Sequence, residues 1–150
     1  MFRGSAPARV DDKGRLKVPS VFKSLLESKY GRELYVTSLT GEYVRLYPMP
    51  VWLDLEQKLG ALPSTNPSKQ RFLDRVNYYG QMVELDSQDR VLIPMRLRDS
   101  ATMTGDVDVL GQISYLDVWN HDRFLIRLAG DPFTDADARS PACACRGAAG

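Results

Sequence analysis

Histidine occurs once in 150 residues, as His121, which leaves no material for a histidine-based metal or catalytic cluster. Cysteine occurs only at Cys143 and Cys145, in the tail PACACRGAAG. Two cysteines that close together make a poor structural disulfide, and their scarcity elsewhere points to a reducing, cytoplasmic setting. Long apolar runs are missing: none reaches the roughly 18 residues that a bilayer span needs. The first residues, MFRGSAPARVDDKGR, hold no apolar core of a secretory leader, so secretion is not signalled. An excess of charge of one sign is also absent, with 20 Lys and Arg against 19 Asp and Glu and a net charge of +1. Any case for nucleic acid must therefore rest on local charge. No glycine-rich phosphate loop, zinc spacing, nucleophile elbow or carboxylate pair beside a base occurs. The expectation is a protein that is not an enzyme and has no cofactor, no metal and no small-molecule substrate.

What the chain does have is a repeat. VDDKGRLKVPSVFKSLL from Val10 aligns with LDSQDRVLIPMRLRDSA from Leu85 without a gap. Asp11 matches Asp86, Arg15 matches Arg90, Leu16 matches Val91, Val18 matches Ile93 and Pro19 matches Pro94. The order of the downstream segments repeats as well. Phe22, Leu25 and Leu26 stand at helical spacing, with Ser20 as the expected N-cap, and Leu97 and Ala101 echo them. A strand-turn-strand pattern comes next in each copy, turning at Thr40-Gly41 and at Gly111-Gln112. Arg45-Leu46-Tyr47 aligns with Asp117-Val118-Trp119.

A strand-turn-strand-helix-hairpin unit is too small to bury its own sheet faces. With 43% hydrophobic residues there is material for one shared core, so the expectation is a single pseudo-dimeric α+β body. Residues 1–53 form the first repeat, 54–80 a helical insert and 81–128 the second repeat. The insert reads as a helical hairpin, with Val51 (or Trp52), Leu55 and Leu59 on one stripe and Phe72, Val76 and Tyr79 on the other. Pro63 to Pro67 breaks it. A final helix is expected within Trp119 to Leu128. Residues 129–150 are expected to be disordered. Tyr43, Tyr47 and Trp52 are assigned to packing, and Asp106 and Asp108 to solvated turn positions.

In the first copy, alternation along Arg15 to Val18 sends Leu16 and Val18 inward and leaves Arg15 and Lys17 on the outer side. A turn at Asp12-Lys13-Gly14 brings Asp11 against Arg15. An ion pair there fixes the guanidinium plane, which suits bidentate contact with guanine or phosphate. The same pair also serves simply to close a turn, and surface ion pairs contribute only about 0–1 kcal/mol. Local charge separates the copies. Residues 1–32 carry eight basic and three acidic side chains, whereas residues 76–107 carry three and five. Leu92 replaces Lys17 and Asp89 replaces Gly14 in the second copy, so the first is expected to lead.

The motif Asp11-Asp12-Lys13-Gly14-Arg15-Leu16-Lys17-Val18-Pro19, returning at Asp86 to Pro94, resembles the two Asp-x-x-x-Arg motifs of the MraZ family of bacterial regulators. The resemblance spans Phe2 to Leu128. It implies tandem AbrB-type repeats forming a pseudo-symmetric swapped-hairpin β-barrel with flanking helices. It implies a cytoplasmic, nucleoid-associated transcription factor that binds short direct repeats upstream of the division and cell-wall gene cluster, its own promoter included. The partners it implies are double-stranded DNA and further copies of the chain in a ring-like homo-oligomer, with no membrane partner. Carried over by position, the readers are Asp11 and Arg15, with Asp86 and Arg90 as counterparts. Lys13, Lys17, Arg9 and Arg3 complete the expected DNA-facing set. Because AbrB-type folds also act as antitoxins, an antitoxin-like protein-interaction module is the alternative.

Overall fold

The computed structural model describes residues 1–141, so residues 142–150, with Cys143 and Cys145, lie outside the described residues. Strands β1 (Ser5–Val10) and β2 (Arg15–Lys17) are followed by helix α1 (Ser20–Leu25). That helix widens into a last turn over Leu26–Tyr30, closed where the Gly31 N–H donates to Leu26 O at 2.8 Å. The hairpin β3 (Glu33–Thr37) and β4 (Val44–Pro48) and helix α2 (Met49–Gly60) end the first copy. Helix α3 (Pro67–Tyr78) leads into the second: β5 (Gln81–Glu84), β6 (Arg90–Leu92), α4 (Met95–Ser100), β7 (Gly105–Gly111), β8 (Leu116–Asn120) and α5 (His121–Gly130). The expected strand-turn-strand-helix-hairpin order is present twice.

The sheet order, β5-β3-β4-β8-β7-β1-β2-β6, shows how the copies interlock. β1 pairs along its whole length with β7 of the other copy, and β5 pairs with β3. β2 lies against β6 with Leu16 opposite Val91, and β4 against β8 with Arg45 opposite Asp117. Repeat-equivalent residues thus face each other across a pseudo-two-fold axis. The eight antiparallel strands make a nearly closed α+β swapped-hairpin barrel.

Inward-facing residues of both copies fill one core. Val10 and Leu85, Leu16 and Val91, Val18 and Ile93, Phe22 and Leu97, and Leu26 and Ala101 are equivalent pairs, and all are buried. Phe2 has no apolar counterpart in the repeat. It is buried against the Phe22 and Tyr30 rings, with its backbone bonded both ways to Ile113. A second cluster seats the helical hairpin: Trp52 stacks on Tyr35 at 4.2 Å and joins Tyr47, Leu55, Phe72 and Val76. Tyr43, Tyr47 and Trp52 are buried, as their assignment to packing required. Tyr79 leaves the α3 stripe and packs on the barrel core instead.

The helix starts show what local sequence controls. Asn66 caps α3, its side chain accepting from the Ser68 and Lys69 N–H groups, with Pro67 in the first turn. Asn120 caps α5 through the Arg123 N–H. Ser20, expected to cap α1, is instead the first helical residue. Pro19 holds the cap position, and its carbonyl accepts from Phe22 and Lys23. Pro94 does the same for α4 with nearly the same dihedrals. A fixed proline φ turns strand into helix without a side-chain cap. Past α5, Thr134 and Asp137 form a capping box that closes one turn, α6 (Asp135–Ala138), in a stretch expected to lack structure. Asp108, assigned to solvent, accepts from or shares a proton with His121 Nδ1 at 2.7 Å and so ties the start of α5 to β7.

At the axis, Arg45 grips Asp117 through Nε and Nη2 at 2.8 and 3.2 Å, with both side chains largely buried. Burial disfavours the Arg45 charge, but the Asp117 hydrogen bond and attraction outweigh it and hold its pKa above the ordinary value. Removing one partner strands the other charge. Asp117→Ala is expected to lower unfolding stability in urea by about 3–5 kcal/mol, and Arg45→Met with Asp117→Leu to regain most of it. A single variant as stable as the parent would remove the pair from the structural supports of the barrel.

Candidate nucleic-acid interface

The two Asp-x-x-x-Arg turns are built alike, atom for atom. Asp11 Oδ1 accepts from the Lys13 and Arg15 backbone N–H groups, and Oδ2 from Arg15 Nε, each at 2.9 Å. Asp86 Oδ1 accepts from Gln88 and Arg90, and Oδ2 from Arg90 Nε, again each at 2.9 Å. Across the turns, the Asp11 N–H donates to Arg15 O and the Asp86 N–H to Arg90 O at 3.0 Å. The carboxylate both closes the turn and orients the guanidinium through Nε. Among the described residues no hydrogen bond occupies the terminal nitrogens of Arg15 or Arg90.

Strand pairing puts these groups on one surface. β2 and β6 form a short ribbon with Leu16 and Val91 inward, and with Arg15 opposite Leu92 and Lys17 opposite Arg90 outward. Arg15, Lys17, Arg90, Asp11 and Arg9 line a common groove. Lys13 stands exposed on the first turn. Arg9 is spent in part on an exposed pair with Asp106 at 3.2 Å. Arg3 is not brought to this surface: it precedes β1 at the Gly111 end, about 20 Å of strand away from Arg9.

The charge difference between the two sequence windows does not become a difference between two faces, because the copies interleave. Asp89 takes the left-handed conformation that Gly14 takes in the first turn, with φ of 60° against 79°. Its carboxylate binds Lys23 at 2.8 Å and Arg32 at 3.0 Å, so two cations of the first window answer an acid of the second. Arg32 also donates to Asp86 O and Glu27. At the other turn, Arg98, the repeat counterpart of Lys23, lies against Gly14, where any Cβ would overlap its guanidinium. Cross-copy backbone bonds repeat the symmetry: Val18 N–H to Asp89 O at 3.1 Å and Ile93 N–H to Gly14 O at 2.8 Å. Arg32, Lys23 and Arg98 were not among the residues singled out from the sequence. The register that equates Lys23 with Arg98 was the signal available there.

Among the described residues no helix is long and apolar enough to cross a membrane, and no cluster of His, Cys, Asp and Glu could hold a metal. The fold and the doubled turn define a class: a two-repeat, swapped-hairpin barrel presenting two carboxylate-held arginines on one ribbon. A family model described as "MraZ protein, putative antitoxin-like" matches residues 1–75 and 80–140. The chain is 51% identical over 140 residues to the transcriptional regulator MraZ of Acidobacterium capsulatum, covering 93% of this chain and 96% of that one. It is 49% identical to the protein of that name from Koribacter versatilis, over 93% and 96%. It is 35% identical to that from Chromobacterium violaceum, over 83% and 84%. The chain belongs to the MraZ family. Its relatives are named as regulators of transcription, not as enzymes.

The motif turns carry a pH dependence. Asp11 has its pKa lowered from the ordinary 3.8, first by the Arg15 backbone N–H, against some desolvation, and then by the guanidinium. Asp86 is lowered in the same way, first by the Arg90 backbone N–H. A lowered carboxylate contributes stability that is complete above the ordinary value and lost as pH falls through the lowered one. Exchange protection of the Lys13, Arg15, Gln88 and Arg90 amides is therefore expected to hold from neutral pH to about pH 4 and to fall below it. Loss of protection already between pH 7 and 5 would contradict the carboxylate-closed turn.

Proposed function

We propose that this chain is a sequence-specific, double-stranded-DNA-binding transcriptional regulator that reads DNA with the β2–β6 ribbon. One observation carries the reading: both copies of the motif hold an arginine by Nε, in the same geometry, and leave its terminal nitrogens open on the same cationic ribbon. A two-stranded ribbon fits the major groove, and a pre-oriented guanidinium matches guanine O6 and N7. Asp11 and Asp86 act by orienting Arg15 and Arg90, while Lys17, Lys13 and Arg9 supply charge to the phosphates. In this reading Arg90 reads alongside Arg15 rather than behind it, and Arg3 has no place at the ribbon.

The targets are short direct repeats near promoters, those of the division and cell-wall gene cluster and of the chain's own gene among them. A ring-like homo-oligomer places several ribbons along one duplex. Each added contact then benefits from effective concentration, so weak single ribbons suffice. Such a protein works at the nucleoid, in the cytoplasm. A second reading, an antitoxin-like module, is favoured by the description of the matched family. Its surface is the helical side of the barrel, and one stoichiometric protein partner without DNA retardation would decide for it.

Mobility-shift titrations with the chain's own upstream duplex separate the two. Arg15→Ala and Arg90→Ala, each folded, are expected to lower affinity by about 1–3 kcal/mol and to relax preference among operator variants. Affinity of the parent should fall steeply with salt. Folded variants that bind like the parent would remove these arginines as readers.

A further inference from the structure

We propose that the two ends of the β2–β6 ribbon are unequal phosphate clamps: Arg98 contacts the DNA backbone beside the first motif, while Asp89 restrains Lys23 and Arg32 beside the second. This rests on the DNA-binding reading and adds to it Arg98, Lys23 and Arg32, outside both motifs, with Asp89 inside the second.

The geometry comes from the pseudo-two-fold axis. Leu16 and Val91 pair at the centre of the ribbon, so Gly14 lies at one end and Asp89 at the other. Gly14 N-terminal to Arg15 and Asp89 beside Val18 are separated by four residues of strand, about 13 Å at ~3.3 Å per residue. The major groove is about 12 Å wide, so a ribbon seated in it brings its two ends toward the two flanking phosphate backbones.

Each end has a cation delivered by the helix of the opposite copy. At the Gly14 end this is Arg98 of α4. Its Nε donates to Ile93 O at 2.8 Å, which fixes the guanidinium plane, and its Nη1 makes only a long contact to Met95 Sδ at 4.0 Å. No acidic side chain forms a salt bridge with it among the described residues. The absent Cβ of Gly14 is what lets the guanidinium come close to the turn. At the other end the equivalent residue is Lys23 of α1, joined there by Arg32. Both are bound by Asp89, the residue that stands in place of Gly14. Glycine with arginine, and aspartate with lysine, are two ways of filling the same contact. They differ in consequence: the first leaves a positive charge available for a phosphate, and the second neutralises one. Asp89 has its pKa lowered, by Lys23 first and then Arg32, so it stays ionised and keeps its hold at neutral pH.

The salt dependence of binding counts phosphate contacts, a quantity that a merely structural role would not move. Fluorescence anisotropy on the chain's own upstream duplex, across a salt series, is the measurement. Arg98→Ala is expected to weaken binding about fivefold or more and to lower the slope of log affinity against log salt by about one unit per ribbon. Arg98→Lys should keep most of the slope. Asp89→Gly, compatible with the left-handed backbone, should release Lys23 and Arg32 and steepen it. An Arg98→Ala variant that melts like the parent yet keeps the parent's slope overturns the proposal, as does a folded Asp89→Gly variant with an unchanged slope. If Arg98→Ala does not fold, Arg98→Lys against Arg98→Gln decides. Retention in the first with loss in the second supports the clamp, and equal slopes overturn it. A parent chain that binds no duplex overturns both this inference and the DNA reading. A parent that binds, with Arg98 variants at the parent's slope, overturns the clamp alone.

Discussion

The β1–β7 and β3–β5 ladders carry the architecture, because each joins a strand of one repeat to a strand of the other. A single repeat would expose one whole ladder edge and half of a core, and neither is tolerable for so small a unit. Exchange of strands solves both problems together. It also fixes where the motif turns lie. β2 and β6 can meet only at the axis, so the two Asp-x-x-x-Arg turns emerge at opposite ends of one ribbon rather than on separate domains.

Duplication within one chain permits what a homodimer of identical repeats does not. Residues facing each other across the axis need not be the same. Arg45 faces Asp117, a complementary buried pair that identical subunits could not make by self-pairing. The same freedom explains the Gly14 and Arg98 contact at one turn and the Asp89 and Lys23 contact at the other. The barrel remains symmetric in its backbone and core while its charges diverge.

The functional geometry is economical for the same reason. One carboxylate closes each turn and aims each guanidinium, so the residues that shape the fold locally are also those that orient the arginines on the ribbon. Arginine suits this arrangement because Nε can be held while the two terminal nitrogens stay free. Lysine at the same position would have one nitrogen for both tasks.

Much of this was legible in the chain itself. Period-two alternation placed Leu16 and Val18 inside and Arg15 and Lys17 outside, and the Asp-to-Arg spacing around a glycine turn foretold the Asp11–Arg15 pair. The gapless register of the copies foretold a shared core, and it holds down to Phe22 with Leu97 and Leu26 with Ala101. These are local patterns or comparisons of like with like, which sequence expresses directly. Which strand pairs with which, and which charges meet, depends on contacts between residues far apart in the chain. Windowed charge therefore assigned Lys23 and Arg32 to the first motif, where the interleaved strands set them against Asp89 of the second. Arg3, inside the most basic stretch, was carried along β1 to the far end of the barrel. The sequence by itself determined the unit, its two copies and the inner and outer faces, because periodicity is local. Only the tertiary structure decided which strands of the two copies pair and that each turn rests on a cation of the other, because burial of shared edges outweighs proximity along the chain.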